Sequence, residues 1–270
     1  MQNITEMDKA FDKPCICGKN HTSALDMLIS GAGVLAQLPD LLMRYTAKKP
    51  FILADRNTFA AAGGRVCDIL TQAGFSYVSY IFSDEHLEPD ERAVGAAVMH
   101  FDNSCDLIIG IGSGVINDIG KILSCVSNRR YIIVGTAPSM DGYASATSSM
   151  AMDGLKVSLN SRCPDAIIGD TDILKNAPMH MLQAGLGDML AKYVSLAEWR
   201  IAHLITGEYY CERVAALVRN ALDVCVKNAG GLLHRDEAAV QAVFDGLITG
   251  GVAMAYAGVS RPASGVEHYF

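Results

Sequence analysis

The first ~20 residues are polar and irregular, after which apolar and polar positions fall into a regular alternation of short strands and longer helices. Phe51–Asp55 (FILAD) is a short apolar run that ends in a carboxylate and predicts a strand. Asn57 or Thr58 is placed to cap a following helix that should run to about Ala73, where Gly74 stops it. Tyr77–Phe82 reads as a strand, Asp90–Phe101 as a helix, Asp106–Ile111 (DLIIGI) as a strand, Val115–Ser127 as a helix and Tyr131–Val134 as a strand. Strands alternating with helices predict βαβ units on a parallel sheet. Near residue 172 the strand signals largely end. Met179–Ile205, Glu208–Ala229 and Asp236–Tyr256 predict helices, separated by Gly207 and Gly230–Gly231. The expected fold class is therefore α/β: a parallel-sheet domain over residues 1–170, then an all-helical domain over residues 171–270.

Composition narrows the function classes. With 270 residues, half of them hydrophobic, the chain can bury a large core. The net charge is -7 and there is no Lys/Arg block, which argues against nucleic acid as the main partner. The apolar runs are strand-length, so no membrane span is expected. The N-terminus lacks the basic and apolar regions of a signal peptide. Eight cysteines scattered through a chain of this length fit reduced thiols in a cytoplasmic protein better than a disulfide framework.

Six segments carry candidate chemistry. Gly110–Lys121 (GIGSGVINDIGK) sets alternating glycines after a strand and opens a helix, where backbone N–H groups and the helix dipole can hold a pyrophosphate. Its spacing is not the ordinary G-x-G-x-x-G, and a plain strand–helix turn is the competing reading. Asn117 and Asp118 fall in the first turn, where they can orient cofactor hydroxyls or water. Asp55, at a strand end, can accept from the ribose diol of NAD; a helix-capping aspartate is the alternative. Thr136–Ser145 (TAPSMDGYAS) crowds Thr136, Ser139, Tyr143, Ser145 and Asp141 at the end of a parallel strand, where ligands bind in open α/β sheets. Gly185–Lys192 (GLGDMLAK) should place Asp188 near a helix start, and Arg261–His268 (RPASGVEH) should place His268 at the beginning of another helix. A carboxylate and an imidazole from two helices can bind a divalent metal, given at least one more ligand. Finally, Cys15, Cys17 and His21 (CICGKNH) lack a fourth ligand and the usual C-x₂-C spacing of a zinc knuckle. They read as an N-terminal turn with free thiols.

Taken together and in this order, FILADRNT, GIGSGVINDIGK, TAPSMDGYAS, GLGDMLAK and RPASGVEH resemble the glycerol-1-phosphate dehydrogenase family, AraM-like proteins included, within the iron-containing alcohol dehydrogenase and dehydroquinate synthase-like superfamily. TAPSMDGYAS is the most specific of the five. The resemblance implies an N-terminal nucleotide-binding domain, a C-terminal helical domain and a site in the cleft between them. It implies that Asp55 meets the adenosine ribose and that Gly114, Val115, Ile116, Asn117 and Asp118 hold the pyrophosphate. It further implies that Thr136, Ala137, Pro138, Ser139 and Ser145 contact the cofactor, that Asp141 and Asp188 act on substrate, and that Asp188 and His268 bind the metal.

The implied reaction is the reversible reduction of dihydroxyacetone phosphate to sn-glycerol 1-phosphate with NAD(H), or NADP(H), and one divalent ion, zinc or nickel. A small phosphorylated substrate and a homodimer are the implied partners. The runner-up is glycerol dehydrogenase; a non-enzymatic NAD-binding protein is the rival from another class. The family carries a further metal-binding histidine downstream of the position of His268, whereas this sequence ends at Phe270, so the expectation is that this chain binds nucleotide but holds the Asp188 metal weakly.

Overall fold

The computed structural model of the chain describes residues 2–3 and 14–266. In chain order its main elements are β1 (Gln2–Asn3), β2 (Met27–Gly31), α1 (Leu38–Arg44), β3 (Pro50–Asp55), α2 (Arg56–Thr58), a π-helical turn (Phe59–Gly63), α3 (Gly64–Gln72), β4 (Val78–Phe82), α4 (Glu91–His100), β5 (Leu107–Gly112), α5 (Gly114–Ser127), β6 (Arg130–Gly135), β7 (Thr147–Met152), β8 (Leu155–Asn160) and β9 (Ala166–Asp170). The helices α6 (Thr171–Leu174), α7 (Met179–Thr206), α8 (Glu212–Asn228) and α9 (Glu237–Ala257) follow.

Seven strands form one sheet in the order β1-β2-β9-β6-β5-β3-β4, parallel except for β1. Burial on both faces explains the unbroken apolar runs of its central strands. Phe51 and Leu53 of β3 point into one core, together with Ile119 and Leu123 of α5 and Phe244 and Leu247 of α9. Ile52 and Ala54 point into the opposite core, with Leu38 and Leu42 of α1 and Val66 and Leu70 of α3. The chain passes from β3 to β4 on one side and returns to β5 on the other. The connections diverge at that point, and a crevice opens beyond the carboxyl ends of β3 and β5.

The observed α/β architecture, with its helical C-terminal part, agrees with the sequence pattern. Five strands were not anticipated: β1, β2, β7, β8 and β9. β7 and β8 pair as an antiparallel hairpin with Met152 opposite Leu155, so its loop is Asp153–Gly154. Both loop residues have positive φ (51° and 75°), as a type I′ turn requires. The helix after β3 is capped by Asp55, not by Asn57 or Thr58. Asp55 Oδ1 accepts from Thr58 N at 2.8 Å, and Thr58 Oγ1 accepts from Asp55 N at 3.1 Å. That reciprocal pair is a capping box with the usual N-cap to N3 spacing, Thr58 taking the place of the common Glu or Gln. α9 is long and apolar enough to cross a membrane by length and composition, contrary to the expectation that every apolar run is strand-length. In the fold it is a core helix, with 67% of its most apolar stretch buried inside the protein.

Candidate functional site

The crevice beyond the sheet has a volume of about 950 Å³. Its floor is made by Ser113, Thr136 and Ala137 at the ends of β5 and β6. Asn57, Thr58 and Arg65 line one wall, and Asp172, Pro178 and His180 another. Ser113 Oγ and Ser139 Oγ are 2.6 Å apart, which ties the glycine loop to the loop after β6.

Each motif contributes differently from what its composition implied. α5 begins at Gly114, and a Cβ there would meet only Met140 at 3.6 Å, an ordinary contact. The fold thus leaves room at Gly114 for something to approach. Ile116 and Asn117 are buried. Asn117 Nδ2 donates inward to Gly142 O at 3.1 Å, so its side chain anchors the TAPSMDGYAS loop and does not face the crevice. Asp118 pairs with Lys121 at 3.0 Å; burial raises its pKa above the usual carboxylate value, and Lys121 opposes that shift. The Lys121 ammonium, itself fully buried, also donates to Gly142 O and Ser145 Oγ, both at 3.2 Å. Ser145 Oγ in turn donates within the same loop, towards Gly142 O and Thr147 O. Its hydroxyl is therefore engaged by interior partners. Tyr143 is fully buried and donates to Ala137 O at 2.7 Å; burial pushes its pKa far up. Two of the four hydroxyls expected to line a ligand site are thus structural, because the loop folds back on itself around Lys121.

Asp141 and Asp188 do come together. Asp141 N donates to Asp188 Oδ2 at 2.8 Å. Between the two carboxylates lies Lys192 Nζ, 2.6 Å from Asp141 Oδ2 and 2.7 Å from Asp188 Oδ1, which also donates to Ala263 O at 2.9 Å. The ammonium is wholly buried, while the carboxylates keep 15% and 14% side-chain exposure. Burial by itself lowers the Lys192 pKa, but Asp141 and Asp188 outweigh it and hold the group above the ordinary lysine value. Asp188 is not near a helix start. It lies ten residues into α7, which begins at Met179 because Pro178 provides the helix entry well upstream of GLGD. Dipole stabilisation is therefore not what holds this carboxylate; Lys192, one turn on, is.

The glycine of GLGD explains how α7 comes so close. A Cβ at Gly185 would sit 1.8 Å from Pro138 O, so only glycine lets the helix rest on the TAPSMDGYAS loop. RPASGVEH adds the third wall. Arg261 grips Glu208 with two hydrogen bonds of 2.8 and 2.9 Å, and this places the Ala263 carbonyl on Lys192. His268 lies outside the described residues. Lys192, Lys121, Ser113 and Arg65 are the polar residues that sequence reasoning did not single out. The i, i+4 spacing of Asp188 and Lys192 was a usable signal for the first.

The comparisons with known proteins bear on the family and the fold. Residues 29–178 match the iron-containing alcohol dehydrogenase family. The chain belongs to that family. Among its relatives, the glycerol-1-phosphate dehydrogenase [NAD(P)+] of Halalkalibacterium halodurans is 32% identical over 100% of this chain and 68% of its own. The protein of the same name from Geobacillus thermodenitrificans is 35% identical over 95% of this chain and 64% of its own. The chain thus spans roughly two thirds of the length of these relatives. Among solved structures, glycerol dehydrogenase from Schizosaccharomyces pombe aligns with a TM-score of 0.72 at 21% identity, over 91% of this chain and 62% of that one. An iron-containing alcohol dehydrogenase from Thermotoga maritima aligns with a TM-score of 0.74 at 14% identity, over 88% of this chain and 69% of that one. At such identities the likeness is one of fold. The family names an oxidoreductase, and its members' names fit a nicotinamide cofactor and a metal ion.

Proposed function

We propose that this chain carries the nucleotide-binding and carboxylate-bearing parts of a glycerol-1-phosphate dehydrogenase, reducing dihydroxyacetone phosphate to sn-glycerol 1-phosphate with NAD(H) or NADP(H). The observation that carries the reading is the meeting of Asp141 and Asp188 around Lys192, at the end of a loop whose first residues, Thr136 and Ala137, floor the crevice. Residues 1–170 form the nucleotide unit in this reading, and residues 171–270 the metal and substrate unit.

The roles follow from placement. Gly114 and Val115 bring the N-terminal N–H groups of α5 towards the pyrophosphate, the contact a helix start offers to an anion. Ile116, Asn117 and Asp118 contribute through their backbone and by holding the loop, since their side chains are engaged or buried. Thr136, Ala137, Pro138 and Ser139 line the path of the nicotinamide half; Ser145 acts on the cofactor only through that loop. Asp55 meets the adenosine ribose with the carboxylate that caps α2. The bound cofactor supplies the hydride, which the chain aligns with the carbonyl carbon.

Two carboxylates already converge on a cation, so this donor set fits a divalent ion as well as an ammonium. Asp188 and His268 would hold a zinc or nickel ion, which when bound supplies Lewis-acid polarisation of the carbonyl oxygen. Asp141 accepts from a substrate hydroxyl, and Lys192 keeps both carboxylates oriented. A cytoplasmic homodimer acting on a small phosphorylated ketone completes the reading.

The test is an NADH fluorescence titration followed by initial rates with added zinc or nickel, comparing dihydroxyacetone phosphate with dihydroxyacetone. Binding of NADH and preference for the phosphorylated ketone are expected. Preference for the free ketone or glycerol would replace the reading with glycerol dehydrogenase. NADH binding without turnover in a metal-loaded protein would leave only a nucleotide-binding role.

A further inference from the structure

The N-terminal turn has a partner that the sequence hides. Cys15 and Cys17 are carried on a tight turn closed by Gly18 N donating to Cys15 O at 2.9 Å, with Gly18 at φ +80°. The turn packs against Cys211, which lies 190 residues from His21 in sequence and caps the start of α8. The Cys15, Cys17 and Cys211 sulfurs and one His21 nitrogen all lie within 4.8 Å of one another. Cys15 Sγ and Cys211 Sγ are 3.6 Å apart, and His21 Nε2 is 3.3 Å from Cys17 Sγ and 3.5 Å from Cys211 Sγ.

These spacings can be compared with a tetrahedral site. Zinc–sulfur bonds of ~2.3 Å and a zinc–nitrogen bond of ~2.0–2.1 Å place the sulfurs about 3.8 Å apart and each sulfur about 3.6 Å from the nitrogen. The Cys15–Cys211, Cys17–His21 and Cys211–His21 separations fall within a few tenths of an ångström of these values. The imidazole is also set in the ligating tautomer. His21 Nδ1 lies 2.8 Å from Tyr256 O, and a carbonyl can only accept. Nδ1 therefore carries the proton, and Nε2 turns its lone pair towards the sulfurs, the outer-shell arrangement that orients metal-binding histidines. Cys15, His21 and Cys211 are 7%, 3% and 1% exposed, so the cluster is closed to solvent on most sides.

We propose that Cys15, Cys17, His21 and Cys211 form a structural zinc site that staples the N-terminal segment to the helical part of the chain. Three thiolates and one imidazole are the donor set of a closed, four-coordinate zinc centre, with no position left for substrate. Thiolate softness favours zinc over the hard cations. The resulting centre carries one net negative charge. Lys19, on the same turn, offsets it; its ammonium lies 3.6 Å over the Tyr209 ring and donates to Ala257 O at 3.2 Å. The site shares no residue with the Asp141–Asp188–Lys192 cluster, and it stands whether or not the dehydrogenase reading does.

The experiment is metal analysis of the chain after dialysis against a chelator, beside the cobalt-substituted protein. Zinc at one equivalent is expected in the unmodified chain and in Asp188→Asn, with loss from Cys15→Ser and Cys211→Ser. Because those variants can misfold, the unmodified chain loaded with cobalt gives an independent reading. Thiolate-to-cobalt charge transfer in the near ultraviolet and intense tetrahedral d–d bands are expected. Titration with a mercurial reagent should release one equivalent of zinc as it caps the three cluster thiols, and should lower Tm. A weak octahedral cobalt spectrum, a zinc-free chain in which all three thiols react at once, or a Cys15–Cys211 disulfide found by peptide mapping would each overturn the assignment.

Discussion

Replacing Lys192 with methionine isolates the energetics of the carboxylate cluster. The side chains are similar in length and volume, so little cavity or overpacking cost is added. What changes is charge: the fully buried ammonium within 2.6 and 2.7 Å of two mostly buried carboxylates is removed. Breaking a buried ionic group by deleting one partner costs about 3–5 kcal/mol, chiefly because the remaining charges stay desolvated and unpaired. At roughly 2–4 °C per kcal/mol for a chain of this size, Tm should fall by about 10 °C.

The pH dependence carries a sign that simple packing loss would not. In the unmodified chain Lys192 has a raised folded pKa, so its contribution is fully present below the ordinary value of 10.5 and fades only as pH rises through the higher folded one. In Lys192→Met the two carboxylates stay mostly buried without their cation, which penalises their charged forms. Protonation then relieves the variant, so its deficit should be largest near neutral pH and shrink as pH falls towards 5. Thermal unfolding followed by circular dichroism, on chelator-dialysed protein at several pH values, measures both quantities. A deficit below about 1 kcal/mol, or one that does not change with pH, would show that Lys192 is not the counterion the geometry makes it.

Three further variants separate fold from function. Gly185→Ala puts a methyl group 1.8 Å from Pro138 O, so α7 must move off the loop; a loss of about 1–3 kcal/mol and a weakened Asp141–Asp188 pairing should appear in denaturant unfolding and in the same pH profile. A Cβ at Gly114 meets only the flexible Met140 side chain, at 3.6 Å, so in Gly114→Val Tm should change little while NADH affinity in a fluorescence titration falls at least tenfold; an unchanged titration would reduce the glycine loop to a turn. Asp55→Ala removes the capping box and should cost about 1 kcal/mol in unfolding experiments; under the proposed function it should also narrow the preference for NADH over NADPH, and equal affinities in the unmodified chain would remove that second claim.

What the sequence revealed and what it concealed divide by range of interaction. The strands β3, β5 and β6 were legible because burial on both faces leaves FILA, DLIIGI and YIIV with no polar interruption. The hairpin β7–β8 was missed although Asp153–Gly154 and the alternation in LKVSLN are both recognised hairpin signals; TSSMAM has no regular alternation, and the two strands sit outside the two core clusters. β9 was missed because AIIGD is short and runs directly into α6. At the site, TAPSMDGYAS and GLGDMLAK could be recognised as chemistry-bearing, but not that Lys121 and Lys192 would fold inwards and occupy them. Whether a lysine is a solvated surface charge or a buried counterion depends on what packs over it, and Ala263, 71 residues on, supplies the cover for Lys192. Cys211 is the extreme case: no local spacing joins it to Cys17 and His21.

That last point changes what a metal measurement means for this protein. The Asp141–Asp188 pair and the cysteine cluster differ in donor chemistry, one carboxylate and the other chiefly thiolate. A total-metal value therefore says nothing by itself about Asp188. A zinc ion at the thiolates should resist chelation and support Tm, while an ion at the carboxylates should exchange with nickel and follow turnover. Metal bound at the carboxylates must also share them with Lys192, whose ammonium already neutralises part of their charge; it has to move aside or tolerate a second cation nearby. Lys192→Met should accordingly strengthen divalent-ion binding at the carboxylates as it weakens the metal-free fold. Nickel titration monitored by Tm, carried out on the zinc-loaded chain, reads that coupling directly: a larger nickel-induced rise in Lys192→Met than in the unmodified protein is the expected sign. An equal rise in both would mean that the lysine and the ion do not compete for Asp188.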